Sequence, residues 1–126
     1  MSQAQDFGRA GEALARLYLE TCGFVCVAAR QRARGGEIDL IVRRDDLVVF
    51  VEVKARRGAG WGRPEAAVDA RKLGHLRRAA AAWIGGGGAA GAAVFRFDVV
   101  AVSFWGEGRG CRIEHFAGVS VGGRRA

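Results

Sequence analysis

Glu37-Ile38-Asp39-Leu40-Ile41-Val42 and Val48-Val49-Phe50-Val51-Glu52-Val53-Lys54, joined through Arg43-Arg44-Asp45-Asp46-Leu47, are the stretch on which the fold turns. Val48 to Val53 is a continuous β-branched and aromatic run, which fits a strand buried on both faces. Alternation puts Val49, Val51 and Val53 on one face, and Val48, Phe50, Glu52 and Lys54 on the other. The polar Arg43–Asp46 cluster suits a tight turn back to the preceding strand. A two-residue turn at Asp45-Asp46 opposes Asp39 to Glu52, whereas a four-residue loop opposes Asp39 to Phe50 and Glu37 to Glu52. Opposed residues share a face, so either register groups Asp39 with Glu52 and Lys54; only an odd loop or a bulge separates them.

Two adjacent carboxylates repel, and such a pair persists where a cation sits between them. That cation is Lys54, or a hard metal ion bound through oxygen. The plainer reading is a cross-strand ion-pair patch on a solvated face. Composition points away from it. Of twenty basic residues only Lys54 and Lys72 are lysine. Lysine is a compact point charge whose pKa falls on burial, whereas arginine stays protonated and forked.

The chain of 126 residues suits one domain, 1–126, with half its residues hydrophobic and a net charge of +7. That balance implies a polyanionic partner. Nucleic acid fits better than a membrane surface, because no basic amphipathic membrane helix is apparent and arginine suits bidentate phosphate contacts. Cys22, Cys26 and Cys111 follow no secretory signal, so free thiols in a reducing cytoplasm are expected. A zinc site from Cys22, Cys26, Cys111 and His115 is the weaker alternative, since neither pair has zinc-ribbon spacing. The uncharged stretch Ala79–Phe95 is interrupted by Gly85-Gly86-Gly87-Gly88, which argues against a membrane helix.

Along the chain, Asp6 is a plausible N-cap for a helix over 7–21, with Phe7, Ala10, Leu14, Leu17 and Tyr18 on its apolar face. Spacing puts Glu12 nearly opposite, in solvent. Gly23 ends the helix. A strand over 24–29 follows, then a basic loop, Arg30 to Gly36, whose Arg30, Arg32 and Arg34 are candidate phosphate contacts. After Lys54, a second basic loop carries Arg56, Arg57 and Arg63 around Trp61. Pro64 opens a helix reaching about Ile84, with Val68, Leu73, Leu76, Ala80 and Trp83 inward and Arg71, Lys72, Arg77 and Arg78 on a basic face. Residues 94–102 read as a strand bearing a neutralising Arg96–Asp98 pair, and 113–116 as a short last strand. The tail from about residue 118 is expected to be mobile.

Gly11-Glu12, Gly36-Glu37-Ile38-Asp39-Leu40-Ile41, Phe50-Val51-Glu52-Val53-Lys54 and Arg96-Phe97-Asp98-Val99-Val100 closely resemble the YraN-type bacterial family. That family is similar to the PD-(D/E)xK, restriction-endonuclease-like nucleases, and among them to Holliday-junction resolvases. The resemblance runs from about residue 6 to 116. It implies an α/β fold with a central mixed sheet flanked by helices in the order α-β-β-β-α-β. It also implies an endonuclease hydrolysing phosphodiester bonds of DNA, with branched or structured DNA among the substrates expected and Mg²⁺ or Mn²⁺ as cofactor. Asp39 and Glu52 match the metal-binding carboxylates, with the Val53 carbonyl beside them, and Lys54 matches the catalytic lysine. Glu12 matches the first-helix glutamate of resolvase-like members, which reverses its reading as surface. Lys72 joins the arginines as a nucleic-acid contact. The proline that names the motif is absent, and Ile38 precedes Asp39. A resolvase-like role implies a two-fold dimer. The alternative function is a nucleic-acid-binding module that keeps the fold without cleavage.

Overall fold

The computed structural model describes residues 3–33, 36–58 and 70–119. The chain runs as α1 (Gln3–Thr21), β1 (Val25–Ala33), β2 (Gly36–Arg44), β3 (Leu47–Arg57), α2 (Ala70–Gly85), β4 (Val94–Trp105) and β5 (Gly110–Phe116). The five strands form one sheet in sequence order. β1, β2 and β3 pair antiparallel, β3 and β4 parallel across the α2 connection, and β4 and β5 antiparallel. This is the expected mixed α/β sheet, and its fifth strand is the short last strand read over 113–116, extended back to Gly110.

The continuous apolar run of β3 occupies the centre. Val48, Val49, Phe50 and Val51 are all buried, because helices cover both faces of the sheet. Val49, Val51, Leu40, Val42, Val100 and Val102 pack under α1 with Ala15 and Leu19. Ile41, Val48 and Phe50 pack under α2 with Leu76, Ala79 and Ala80. Trp83 meets Phe50 edge-on, with ring centroids 5.8 Å apart. The turn at Asp45-Asp46 has two residues, with Arg44 opposite Leu47 and Leu40 opposite Val51. Asp45 adopts φ 57° there, as tight hairpin turns require and as Asp tolerates.

Asp6, expected to cap α1, lies inside it, since the helix begins at Gln3. Three further expectations need correction. The packed face of α1 is rotated from the sequence reading: Gly11, Ala15 and Leu19 face the sheet, while Leu17 is 60% exposed. Small residues win this face because the helix approaches closely. A Cβ on Gly11 would lie 2.6 Å from Ala55 Cβ. Reckoning the helix by its large apolar residues hid this, and it moves Glu12 from the far side to the flank of the contact. The second and third corrections concern the basic loops. Arg30 to Ala33 continue β1, with Gln31 to Ala33 opposite Ile38 to Gly36 of β2, and Arg56 and Arg57 continue β3 opposite Ser103 and Phe104 of β4. Pairing overrode the loop-like composition; Arg32 lies opposite Glu37, with Nε 3.4 Å from Oε2. Arg34, Trp61, Arg63 and the expected helix start at Pro64 lie outside the described residues.

Asp98 fastens the second half of the fold. It is 1% exposed on β4 and accepts two hydrogen bonds from Arg96 at 2.8 and 2.9 Å. The Gly118 N–H donates to it at 3.0 Å, and His115 Nε2 lies 2.6 Å from Oδ2. The other ring nitrogen of His115 lies 2.9 Å from the hydroxyl of Tyr18, so α1 is bonded through β5 to β4. The Val119 N–H donates to the Phe97 carbonyl, so residues 118 and 119 are tied back to β4; the remainder of the expected tail lies outside the described residues. Burial alone would raise the Asp98 carboxyl; the hydrogen bonds from His115, Arg96 and Gly118 outweigh it and hold the group below the usual carboxylate range.

Two outcomes are expected. Gly11→Val should lower stability by about 2 kcal/mol in urea unfolding through overpacking against Ala55, and adding Ala55→Gly should recover part of the loss. Because the folded pKa of Asp98 is depressed, its contribution is present above the unfolded value near 3.8 and is lost as pH falls through the folded value. Asp98→Asn should therefore unfold more readily than wild type at pH 7, with the difference shrinking below about pH 4 in melts followed by circular dichroism.

Candidate functional site

The site begins where the sheet splits. β2 pairs with β3 only from Arg44–Leu47 to Leu40–Val51. Beyond that point β2 stays with β1 as far as Gly36, and β3 stays with β4 as far as Arg57. A fork opens between them, and strand alternation is broken at its apex. Ile38 and Ile41, three residues apart, both belong to the apolar cluster under α2. The β1–β2 ladder also skips here, passing from Ala29–Leu40 to Gln31–Ile38. Arg30, at the skipped position, has φ 49°, a conformation that favours glycine and stores about 1–3 kcal/mol of strain.

The irregularity turns Asp39 into the fork. Its Oδ2 accepts the Val53 N–H at 2.8 Å, so a side chain replaces the backbone acceptor that the departing strand no longer supplies. Asp39, Glu52 and Lys54 thus meet at the gap between β2 and β3, and not by simple sharing of one pleat face. Burial pushes the Asp39 carboxyl up to about 7; the Glu52 charge pushes the same way, the Val53 N–H opposes it, Glu12 adds a smaller push, and Lys72 opposes.

Glu52 is the most deeply placed charge of this site, 4% exposed. Lys54 Nζ lies 3.6 Å from its Oε1, and Lys72 Nζ, from the first turn of α2, lies 3.0 Å from the same atom. The chain's two lysines therefore converge on one carboxylate. For Lys72 the structure supplies a place that the basic-face reading had missed; its isolation among arginines was the one sequence signal pointing there. Glu12 reaches the fork from α1 and accepts a 2.8 Å bond from Arg30 Nε. A pocket of about 450 Å³ opens beside it, lined among others by Arg9, Glu12, Arg16, Arg30 and Leu40. Arg9 and Arg16 were not singled out in the sequence; they lie on one stripe of α1, about two turns apart. Arg32 is exposed next to Glu37, and Arg56 and Arg57 are exposed at the far end of β3.

Asp39 and Glu52 offer hard oxygen donors on either side of the fork, with the Val53 carbonyl on the same strand as Glu52. Among the described residues no hydrogen bond goes to Asp39 Oδ1. That donor set fits Mg²⁺ or Mn²⁺, since Mg²⁺ is commonly held by one or two carboxylates and several waters. It is not a closed protein cage: no group of three or more His, Cys, Asp or Glu that could hold a metal occurs among the described residues. The same fact leaves the zinc alternative without support, and His115 is engaged by Asp98 and Tyr18. No helix among the described residues is long and apolar enough to cross a membrane.

Comparison with known proteins follows the same residues. The profile described as "Uncharacterised protein family UPF0102" matches residues 11–102, from the helix contact at Gly11 through β4. The chain is similar to a UPF0102 protein of Rhodococcus jostii (strain RHA1), 44% identical over 115 residues, covering 91% of this chain and 96% of the relative. It is 48% identical over 104 residues to one from Yersinia pseudotuberculosis (strain YPIII), covering 82% and 88%. A UPF0102 protein of Ectopseudomonas mendocina (strain ymp) is 43% identical over 109 residues, covering 86% and 92%.

The raised Asp39 pKa has the opposite stability sign to that of Asp98. Its contribution is fully present below about 3.8 and is lost as pH rises through about 7. Asp39→Asn is therefore expected to stabilise the metal-free protein at pH 8, by up to about 4 kcal/mol, with the gain vanishing near pH 4. Thermal melts in EDTA across that range check it.

Proposed function

The chain belongs to the UPF0102 family, and we propose that it is a Mg²⁺- or Mn²⁺-dependent endonuclease that hydrolyses phosphodiester bonds of DNA. The observation that carries this reading is the convergence of Asp39, Glu52 and Lys54 at the sheet fork of a chain with a net charge of +7. A basic protein that only binds a polyanion gains nothing by aiming two carboxylates at it. A protein that must place a cation against a phosphate does.

Asp39 and Glu52 would hold the ion, with the Val53 carbonyl as the further oxygen donor beside them. Bound there, the ion supplies Lewis-acid polarisation of the phosphate and acidifies water. Lys54 stays beside Glu52, orients the attacking water and stabilises charge that develops on the phosphate oxygens. Glu12, steadied by Arg30, adds negative charge on the α1 side of the same fork. Arg9, Arg16 and Arg30 give the adjoining pocket the charge to hold a neighbouring backbone phosphate. Backbone contacts of this kind imply strong salt dependence and little sequence preference. Action on branched DNA in the cytoplasm, by a two-fold dimer that cuts two strands symmetrically, is the form that resolvase-like chemistry takes.

One observation favours a binding module without cleavage. Glu12 and Glu52 already have cationic partners within the protein, so the carboxylates are neutralised without a metal. The two readings separate on incubation of the purified protein with duplex, single-stranded and four-way-junction DNA, with Mg²⁺, Mn²⁺ or EDTA. Metal-dependent nicking that falls at least about 100-fold in Glu52→Ala and Lys54→Ala supports the nuclease. Equal nicking by the variants marks a contaminant. Tight binding without cleavage in any metal supports the module, and no binding at low salt removes both.

A further inference from the structure

We propose that Lys72 is the internal cation of this site: it neutralises Glu52 when no divalent ion is present, and moves onto a nucleic-acid phosphate when an ion takes its place. The inference rests on the cation site proposed for Asp39 and Glu52. It goes beyond that reading by giving the second lysine a role of its own.

Glu52 is 4% exposed and adds to the charge felt by Asp39. A buried carboxylate in that position requires a counter-charge, or it carries a heavy desolvation cost. Two lysines supply it, but not equivalently. Lys54 comes from the same strand, two residues on, and its side chain is 26% exposed. Lys72 comes from a different element, stands closer to Oε1 at 3.0 Å, and is 41% exposed. Lys54 is therefore the fixed neighbour, and Lys72 has both the tighter grip and the open route outward.

A divalent ion at Glu52 competes with the ammonium for one carboxylate: both lysines stand at Oε1, and an ion on either oxygen repels them. The displaced group is the one that can leave without disturbing the core. The backbone under Lys72 does not need to move: Leu73 and Leu76, on the buried side of α2, are 1% and 3% exposed. The movement is one of the flexible four-carbon stem. This accounts for lysine here, in a chain whose other basic residues except Lys54 are arginine. An arginine fork would grip the carboxylate through two N–H groups and release it reluctantly, while an ammonium makes a point contact and transfers readily. Once released, the ammonium stands at the edge of the fork, beside the position the ion gives to the phosphate.

The test uses the full chain and two independent readouts. Calorimetric titration with Mn²⁺ compares wild type, Lys72→Met and Lys72→Arg, with circular dichroism to confirm folding. Removing the competing ammonium is expected to tighten Mn²⁺ binding roughly fivefold in Lys72→Met. Lys72→Arg, which holds the carboxylate more firmly, is expected to weaken it roughly threefold. Binding of a duplex oligonucleotide is then followed against salt concentration. With Ca²⁺ present the slope for Lys72→Met should be shallower than wild type by about 0.9, and in EDTA the two slopes should coincide. Unchanged or weaker Mn²⁺ binding by folded Lys72→Met overturns the proposal. So does tighter binding by Lys72→Arg, or an equal loss of slope in EDTA. If wild type takes up no Mn²⁺, the cation site itself falls and this proposal with it; if it takes up Mn²⁺ without nicking any DNA, the nuclease reading falls and the lysine exchange is still judged on the titrations.

Discussion

The hydrogen bond from the Val53 N–H to Asp39 Oδ2 is the joint on which the site depends. A strand that parts from its neighbour leaves a row of backbone donors and acceptors without partners. β2 leaves β3 after Leu40–Val51, and the first group stranded on β3 is met by a carboxylate at the departing edge. The same bond keeps the fork open and fixes the orientation of Asp39. Its distortion is absorbed on the other side, where Arg30 takes a left-handed backbone conformation and the β1–β2 ladder skips a pair. Strain at Arg30 and the direction of Asp39 are two ends of one irregularity.

Electrostatics divide the molecule into two carboxylate sites of opposite character. Asp98 is surrounded by donors, from Arg96, His115 and the Gly118 N–H, and behaves as a tie that joins α1, β4 and β5. Asp39 has one N–H and two acidic neighbours, and its ionised form is disfavoured. A structural carboxylate is placed where folding gains from its charge. One held against its charge stores free energy that a bound cation can recover, as expected where binding or chemistry takes place.

Much of this was readable from the residues. The VVFVEV run specified a central strand and a hairpin around Asp45-Asp46 in one of two registers, of which the structure takes the two-residue turn. The scarcity of lysine pointed to Lys54 and, less clearly, Lys72. Other features were not readable, for identifiable reasons. The face of α1 was misjudged because Gly11 and Ala15 carry little hydrophobic weight, yet close approach to Ala55 favours them. The segments at Arg30–Ala33 and Arg56–Arg57 looked like loops because arginine is a poor mark of a strand; they are strands because neighbouring strands continue beside them. Parity assumed regular alternation, and Ile38 and Ile41 on one side of the sheet break it around Asp39 while the same residues still come together.

The sequence alone determined the pairing of the two hairpin strands and the acidic pair with its lysine, because these depend on local periodicity and turn length, while the mixed sheet was implied by the family resemblance. Tertiary structure alone decided that β2 and β3 part at Leu40, that Glu12 comes round to the fork with Arg30 upon it, and that Lys72 crosses from α2 to Glu52. Each of these depends on contacts between different elements. Their positions are set by how closely helices pack on the sheet, a three-dimensional constraint that no local pattern of residues encodes.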